Sequence, residues 1–355
     1  MRLVFVYWAF EDQGSGLVIQ GYTEAARALG HEVAVYGRWR CARDNPNIPL
    51  NYSLDLASAD AVLFVFEWTT DLRPGDHLDL VRLVGAVPRN RRVILDGDGN
   101  YNDPLAEGGD YNHRDPAAAR QWAEVCDSLT DKVCQPTLHP RRPNVRPFLF
   151  YAYNPAWERP ADIATREFDV LYVGHSKFRW RPMHRVLQAV EPVRERLGRV
   201  GLVGHGWGAP PPWAGEMGIE DYYRTDAVYL NRLGVELMPA VRFTEVIERM
   251  GRARVNPVLL RPTFERLRIV TPRMFETPAS GTLPLFAFDR EHVREIYGEA
   301  GLEFWLPDEG GPEKVLDLVH RPDRYRKPLM EVRRHLATRH SHAARLRELI
   351  EIVES

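Results

Sequence analysis

The sequence predicts an α/β protein whose 355 residues form two doubly wound lobes, each a parallel sheet covered by helices. Three observations carry this reading. Short apolar runs alternate with amphipathic stretches from residue 3 onward, a pattern that builds parallel sheets. A passage over residues 135–160, dense in proline at Pro136, Pro140, Pro143, Pro147, Pro155 and Pro160, interrupts the alternation as connections between domains do. A second alternation starts at residue 169, in a chain that is long for one core. The expected borders are 1–160, 161–327 and a closing helix, 328–355, that packs back on the first lobe.

Residues 3–8 read as a buried strand. Gly14-Ser15-Gly16 follows, then a helix with Leu17, Ile19, Tyr22, Ala25, Ala26 and Leu29 on its apolar side, stopped by Gly30. With a strand over 32–36 this is a βαβ unit, whose parallel pairing requires a crossover. The dinucleotide fingerprint G-x-G-x-x-G needs glycine where Ile19 stands, so Gly14, Ser15 and Gly16 are read as a backbone turn bordering a ligand.

Strands at 61–66 and 92–95 flank a helix at 76–83. The second strand runs into Asp96-Gly97-Asp98-Gly99-Asn100-Tyr101-Asn102-Asp103, at the strand end where open α/β sheets place ligands. Asp96 or Asp98 can act as general base toward a hydroxyl. The same loop resembles the opening of a calcium site, but the closing glutamate would fall near Glu107 and the flanking helices are missing. Plain turn chemistry is the third reading. His113, in a polar loop, is another candidate base, oriented by Asp98 or Asp110. A helix over 117–128 and a last strand over 148–153 complete the lobe.

The second lobe opens with a strand at 169–173 and then Gly174-His175-Ser176-Lys177-Phe178-Arg179-Trp180-Arg181. A glycine at a strand end followed by three cations suits a diphosphate leaving group; the alternative is a solvated basic loop. A helix spans 182–197, and a strand at 200–203 ends in Gly204-His205-Gly206-Trp207. An aromatic and proline-rich insertion follows. Next come a strand at 235–241, a helix at 243–250 and a strand at 253–260, with the backbone of 239–243 a place for a flat base.

Residues 267–288 organise the rest. Thr271 and Pro272 read as a helix cap and first turn, Gly281 as its stop, and 282–288 as a buried strand. The helix mouth with Arg273 suits a phosphate, and Glu276 one turn along suits paired hydroxyls; the alternative is a capped surface helix. A strand at 302–306, a helix at 312–319 and a basic helix at 328–353 close the chain. Leu329, Val332, Leu336, Leu346, Leu349 and Ile352 form the last helix's apolar stripe. His340 and His342 are i, i+2 and share no helix face, so they are not read as metal ligands.

A net charge of -2 gives no global reason to expect nucleic acid or an anionic membrane. Cys41, Cys126 and Cys134 lack both pairing number and C-x-x-C spacing, so neither disulfides nor zinc are expected, and a reducing, cytoplasmic setting is. No apolar run is long enough to span a bilayer.

On these residues the chain resembles the two-Rossmann-domain glycosyltransferases known as GT-B, nearest the group-1 and spore-maturation (CgeB-like) branch. The resemblance rests on Gly14-Ser15-Gly16, Tyr172-Val173-Gly174, Leu202-Val203-Gly204-His205-Gly206, and above all Arg273-Met274-Phe275-Glu276-Thr277-Pro278-Ala279-Ser280-Gly281-Thr282. It implies two Rossmann-like domains facing a cleft, with a nucleoside-diphosphate sugar on the C-terminal one and an acceptor of unknown identity on the other. Glu276 would hold the ribose hydroxyls. Lys177, Arg179 or Arg181 would meet the diphosphate; Gly174, Gly204, Thr271 and Arg273 are read as further donor-binding residues, and neither metal nor cofactor is expected. The retaining branch carries two glutamates eight residues apart, and the first falls here on Arg268, read instead as a phosphate ligand. The stereochemical course stays open. An epimerase of the same fold and a non-catalytic assembly protein are the rival readings.

Overall fold

The computed structural model describes residues 1–7, 15–37, 55–67, 74–113, 115–163 and 165–355. The first sheet contains β1 (Arg2–Tyr7), β2 (Glu32–Gly37), β3 (Ala61–Phe66) and β4 (Arg92–Asp96). After a short antiparallel hairpin, β5 (Ala106–Glu107) and β6 (Asp110–Tyr111), it is completed by β7 (Val133–Gln135) and β8 (Val145–Pro147). Its order is β2-β1-β3-β4-β7-β8, parallel throughout. Helices α1 (Ser15–Ala28), α2 (Pro74–Gly85) and α3 (Pro116–Leu129) make the crossovers. All six residues of β3 are buried, which is why it reads as an unbroken apolar run rather than an alternating one.

The second sheet, also parallel, runs β11-β10-β9-β12-β13, from β9 (Phe168–Val173), β10 (Val200–Val203), β11 (Glu236–Met238), β12 (Ala253–Val258) and β13 (Leu283–Phe286). Its helices are α4 (Trp180–Val190), α5 (Pro212–Glu216), α6 (Ala227–Arg232), α7 (Val246–Met250), α8 (Pro262–Leu267), α9 (Arg273–Ala279), α10 (Arg290–Tyr297) and α11 (Gly311–His320). Strand order reverses between β1 and β3 in one sheet and between β9 and β12 in the other. At such switch points the loops leave in opposite directions and open a crevice at the strand C-termini.

Three expectations are corrected. Residues 148–153 are not a strand: they are apolar because they lie under α1, where the Tyr22 hydroxyl donates to the Phe150 carbonyl at 2.8 Å and the two rings stack at 5.5 Å. Residues 302–306 fall largely in a 3-10 turn, Glu299–Phe304, with a single bridge from Trp305 to Phe286. The closing helix is two, α12 (Arg326–Arg339) and α13 (His342–Glu354). Ser341 divides them by accepting the Ala344 N–H at 3.3 Å as an N-cap.

The closing helix does return to the first lobe. The His342 ring meets Tyr22 edge-on at 5.3 Å, and Lys132 donates to the Val353 carbonyl. Among the described residues no helix is long and apolar enough to cross a membrane.

Gly21 makes this contact possible, because a Cβ there would lie 2.4 Å from the His342 ring. Alanine would raise helix propensity by about 1 kcal/mol, but overpacking a buried contact costs about 1–3 kcal/mol. Gly21→Ala is therefore expected to lower the urea unfolding midpoint. An unchanged or raised midpoint contradicts the α1–α13 contact.

Candidate functional site

A cavity of about 600 Å³ opens where the C-termini of both sheets face each other, within the size range of small-molecule sites. Its second-lobe wall starts with two glycines. Gly174 follows β9 and Gly204 follows β10, and a Cβ at 204, where φ is +142°, would fall 2.3 Å from the Gly174 carbonyl oxygen. The backbones can touch only because Gly204 has no side chain. The Gly174 N–H donates to Val203 O at 2.8 Å, and the indole N–H of Trp207 donates to Gly174 O at 2.8 Å.

That turn presents His175, Lys177 and Arg179 to the cavity. Phe178 between them has φ +57°, unusual for a bulky residue. Its N–H donates to Tyr222 O at 2.6 Å and its ring packs on Tyr222 at 4.2 Å, so the phenyl anchors to the insertion. Arg179 donates to Lys177 O at 2.8 Å and sits 3.3 Å from His175 Nδ1. Burial pushes His175 well below the usual histidine range, and Arg179, Lys177, Arg273 and His205 push it further. Burial is the larger cause, and the nearby cations act in the same direction.

Helix α9 supplies Arg273 and Glu276, which form an ion pair at i, i+3. The Glu276 side chain is buried, and burial raises its carboxyl while Arg273 opposes the rise. Such a pair keeps a desolvated carboxylate compensated until other donors replace the arginine. Next to it the cavity is apolar and aromatic, with Trp213, Ile219 and Tyr223 from the insertion and Ala240, Val241 and Phe243 from the loop after β11.

The first-lobe wall carries Glu67, Gly97, Asp98 and Tyr151. Glu67 follows β3 and Asp98 follows β4, and the strand ends are tied by Gly97 N–H to Phe66 O at 3.1 Å. The Tyr151 hydroxyl donates to Glu67.

Of the residues singled out from sequence, Asp98, Gly174, Lys177, Arg179, Gly204, Thr271, Arg273 and Glu276 line this cavity. Others do not. Asp96 is buried and accepts from the N–H groups of Asn100 at 2.9 Å and Tyr101 at 2.8 Å and from Gln135 at 2.7 Å, so it fastens its loop and has no place as a base. His113 is buried against the Asn100 carbonyl. Of its two candidate orienters, Asp110 is taken by Arg261 at 3.1 Å and the Thr263 N–H at 2.8 Å, and Asp98 lines the cavity while His113 does not, so His113 has no place as a base.

Arg181 is largely exposed and pairs with Glu107 at 3.1 Å. Arg268, at φ +50°, pairs with Asp289 and Glu295, each at 3.1 Å, outside the cavity lining. Neither serves as a phosphate ligand here. Thr271 does not cap α9: Pro272 holds that position, with no side-chain cap bond, and the buried Thr271 hydroxyl makes no hydrogen bond among the described residues. Ser15 and Gly16 begin α1 rather than forming a turn. Gly14, like Trp8 and Cys41, lies outside the described residues.

Glu67, Tyr151, His175, His205 and Trp213 are cavity residues that the sequence reading did not single out. One signal pointed to Glu67, a carboxylate one residue beyond a buried strand; the others depend on packing. Among the described residues no group of three or more His, Cys, Asp or Glu could hold a metal ion.

Comparison with protein-family models gives no match, and comparison with curated proteins gives none. Solved structures do match over the whole chain. An α-glucosyltransferase in complex with UDP-glucose and DNA containing an abasic site aligns with a TM-score of 0.69 at 11% identity, covering 100% of both chains. A DNA-modifying β-glucosyltransferase aligns at 0.58 and 13% identity, again over 100% of both. Phage T4 β-glucosyltransferase with UDP and Mn²⁺ aligns at 0.57 and 14% identity over the same span. The fold is that of the GT-B glycosyltransferases.

Burial lifts the Asp96 carboxyl to about 6 against its three hydrogen bonds. The folded state then holds a proton that the unfolded chain, at 3.8, has released. Asp96 therefore favours folding most below 3.8, and that contribution is lost as pH rises through 6. The stability of wild type relative to Asp96→Asn, from denaturant titrations, is expected to fall by about 3 kcal/mol across that window. A pH-independent difference contradicts it.

Proposed function

We propose that the protein is a glycosyltransferase that moves a sugar from a nucleoside-diphosphate donor to an acceptor hydroxyl. The observation that carries this is the convergence on one cavity wall of Lys177, Arg179 and Arg273. Breaking a sugar–phosphate bond places growing negative charge on the diphosphate, and cations fixed in advance in a partly desolvated site stabilise that charge. Glu276, freed from Arg273 as the arginine turns to phosphate, accepts from the ribose hydroxyls. The flat apolar region beside it takes the base.

Residues 1–160 are read as the acceptor domain and 161–327 as the donor domain, with Asp98 the base. The acceptor oxygen bonds the anomeric carbon, its proton passes to the carboxylate, and the anomeric C–O bond breaks with its electron pair going to the diphosphate. UDP-glucose is the first donor to test and hydroxyl-bearing DNA the first acceptor, because the structural neighbours were solved with UDP-glucose and with DNA. The reading keeps the group-1, CgeB-like branch on the α9 motif alone. It has the chain working without metal or cofactor, a point to measure directly because one neighbour was solved with Mn²⁺.

Calorimetry over UDP-, GDP-, ADP- and TDP-sugars is expected to find one that binds. Arg273→Ala and Glu276→Ala should each weaken it about 10- to 100-fold, the value of a hydrogen bond to a charged group. Asp98→Asn should leave binding intact and lower turnover about 100-fold or more. A chelator should change neither. Absence of binding across the panel contradicts the proposal.

A further inference from the structure

The first lobe touches the turn of the second lobe that carries the cations. The β5–β6 hairpin pairs Glu107 with Asp110, so Gly108 and Gly109 form its two-residue loop. Both have positive φ, +54° and +84°, as the favoured hairpin turn requires. The tip lies against Arg181 of the second lobe, and a Cβ on Gly108 would fall 2.4 Å from that guanidinium. Behind the tip, buried Asp110 accepts from Arg261 at 3.1 Å and from the Thr263 N–H at 2.8 Å. Arg261 also donates to the Tyr111 carbonyl at 3.2 Å. Charge-assisted bonds from two neighbouring second-lobe residues fix where the hairpin sits.

Held there, Tyr111 lays its ring on the cation-bearing turn. It meets Phe178 edge-on at 6.0 Å and Tyr222 edge-on at 5.5 Å, and those two rings pack on each other at 4.2 Å. Phe178 stands between Lys177 and Arg179 at φ +57°, a conformation that a bulky residue keeps only where the surrounding packing imposes it. The packing here comes from both lobes. Arg261 adds to it, with its guanidinium carbon 4.7 Å from the centre of the Phe178 ring, and the Lys177 ammonium lies 5.4 Å from the centre of the Tyr222 ring.

Resting on the donor-site reading above, we propose that Tyr111 is a positioning residue for the donor diphosphate: it holds Phe178 in its left-handed conformation and thereby aims Lys177 and Arg179 into the cavity. The donor site is then completed by the lobe read as taking the acceptor. Asp110 contributes by charge as well as by anchoring the hairpin. Burial lowers the Arg179 guanidinium from its usual range, with Arg261 and Arg273 adding to the fall, while Tyr172 and Asp110 oppose it.

The test compares the affinities of UDP and of uridine, which has no phosphate, in the full-length protein. Tyr111→Ala is expected to weaken UDP about 3- to 10-fold, the worth of an aromatic pair, and to leave uridine unchanged. Tyr111→Phe keeps the ring and should bind UDP as wild type does. If Tyr111→Ala does not fold, Tyr111→Leu, which keeps apolar volume without the ring, carries the same expectation. A folded alanine or leucine variant with wild-type UDP affinity overturns the assignment and leaves the donor reading in place. So does a variant in which uridine weakens as much as UDP, because a change confined to the cation-bearing turn is felt only by the phosphates. Wild-type protein that binds no nucleotide removes the donor reading, and this inference with it.

Discussion

Positive charge crowded into a partly desolvated cavity is the constraint on which the rest of this molecule depends. Among the described residues, the second-lobe wall sets Lys177, Arg179 and Arg273 against the single carboxylate of Glu276. Cations gathered on one wall repel one another, and a bound anion relieves that repulsion. The fold provides for the arrangement locally. Gly204 lets two strand ends touch, and Phe178, bent into the left-handed region and fastened to Tyr222, separates Lys177 from Arg179 along the turn. The Arg273–Glu276 pair keeps the buried carboxylate compensated.

The cavity also depends on how the lobes meet. The β5–β6 hairpin of the first lobe reaches the second through Asp110, buried against Arg261 and the Thr263 N–H. Tyr111 of the same hairpin packs on Phe178 and Tyr222. The outer pairs of Glu107 with Arg181 and Arg266 are solvent-exposed and contribute little by comparison. Asp110 therefore links the lobes on the side where the cation-bearing turn sits, and α13, seated on α1, links them again at the chain's end.

Much of the fold was legible because both sheets are parallel and buried, so their strands read as apolar runs separated by amphipathic helices. Where apolarity had another cause, the reading slipped. Residues 148–153 and 302–306 are apolar through packing alone, and β7 is three residues long. The donor-side residues were legible because glycines at strand ends and cations in the following turn are local signals. Arg268 misled because its charge is visible in sequence and its partners, Asp289 and Glu295, are not. His113 and Asp96 show the opposite case: the sequence places them in a polar loop as candidate bases, whereas both are buried and hydrogen-bonded. Glu67 and Tyr151, 84 residues apart, meet only in three dimensions.

The most direct measurement is a crystal structure of the protein with UDP. The account predicts the diphosphate within hydrogen-bond distance of Lys177, Arg179 or Arg273, the ribose hydroxyls on Glu276, and the Arg273–Glu276 pair opened to admit them. A nucleotide bound elsewhere, or bound in the cavity with its diphosphate turned away from these cations, would contradict it.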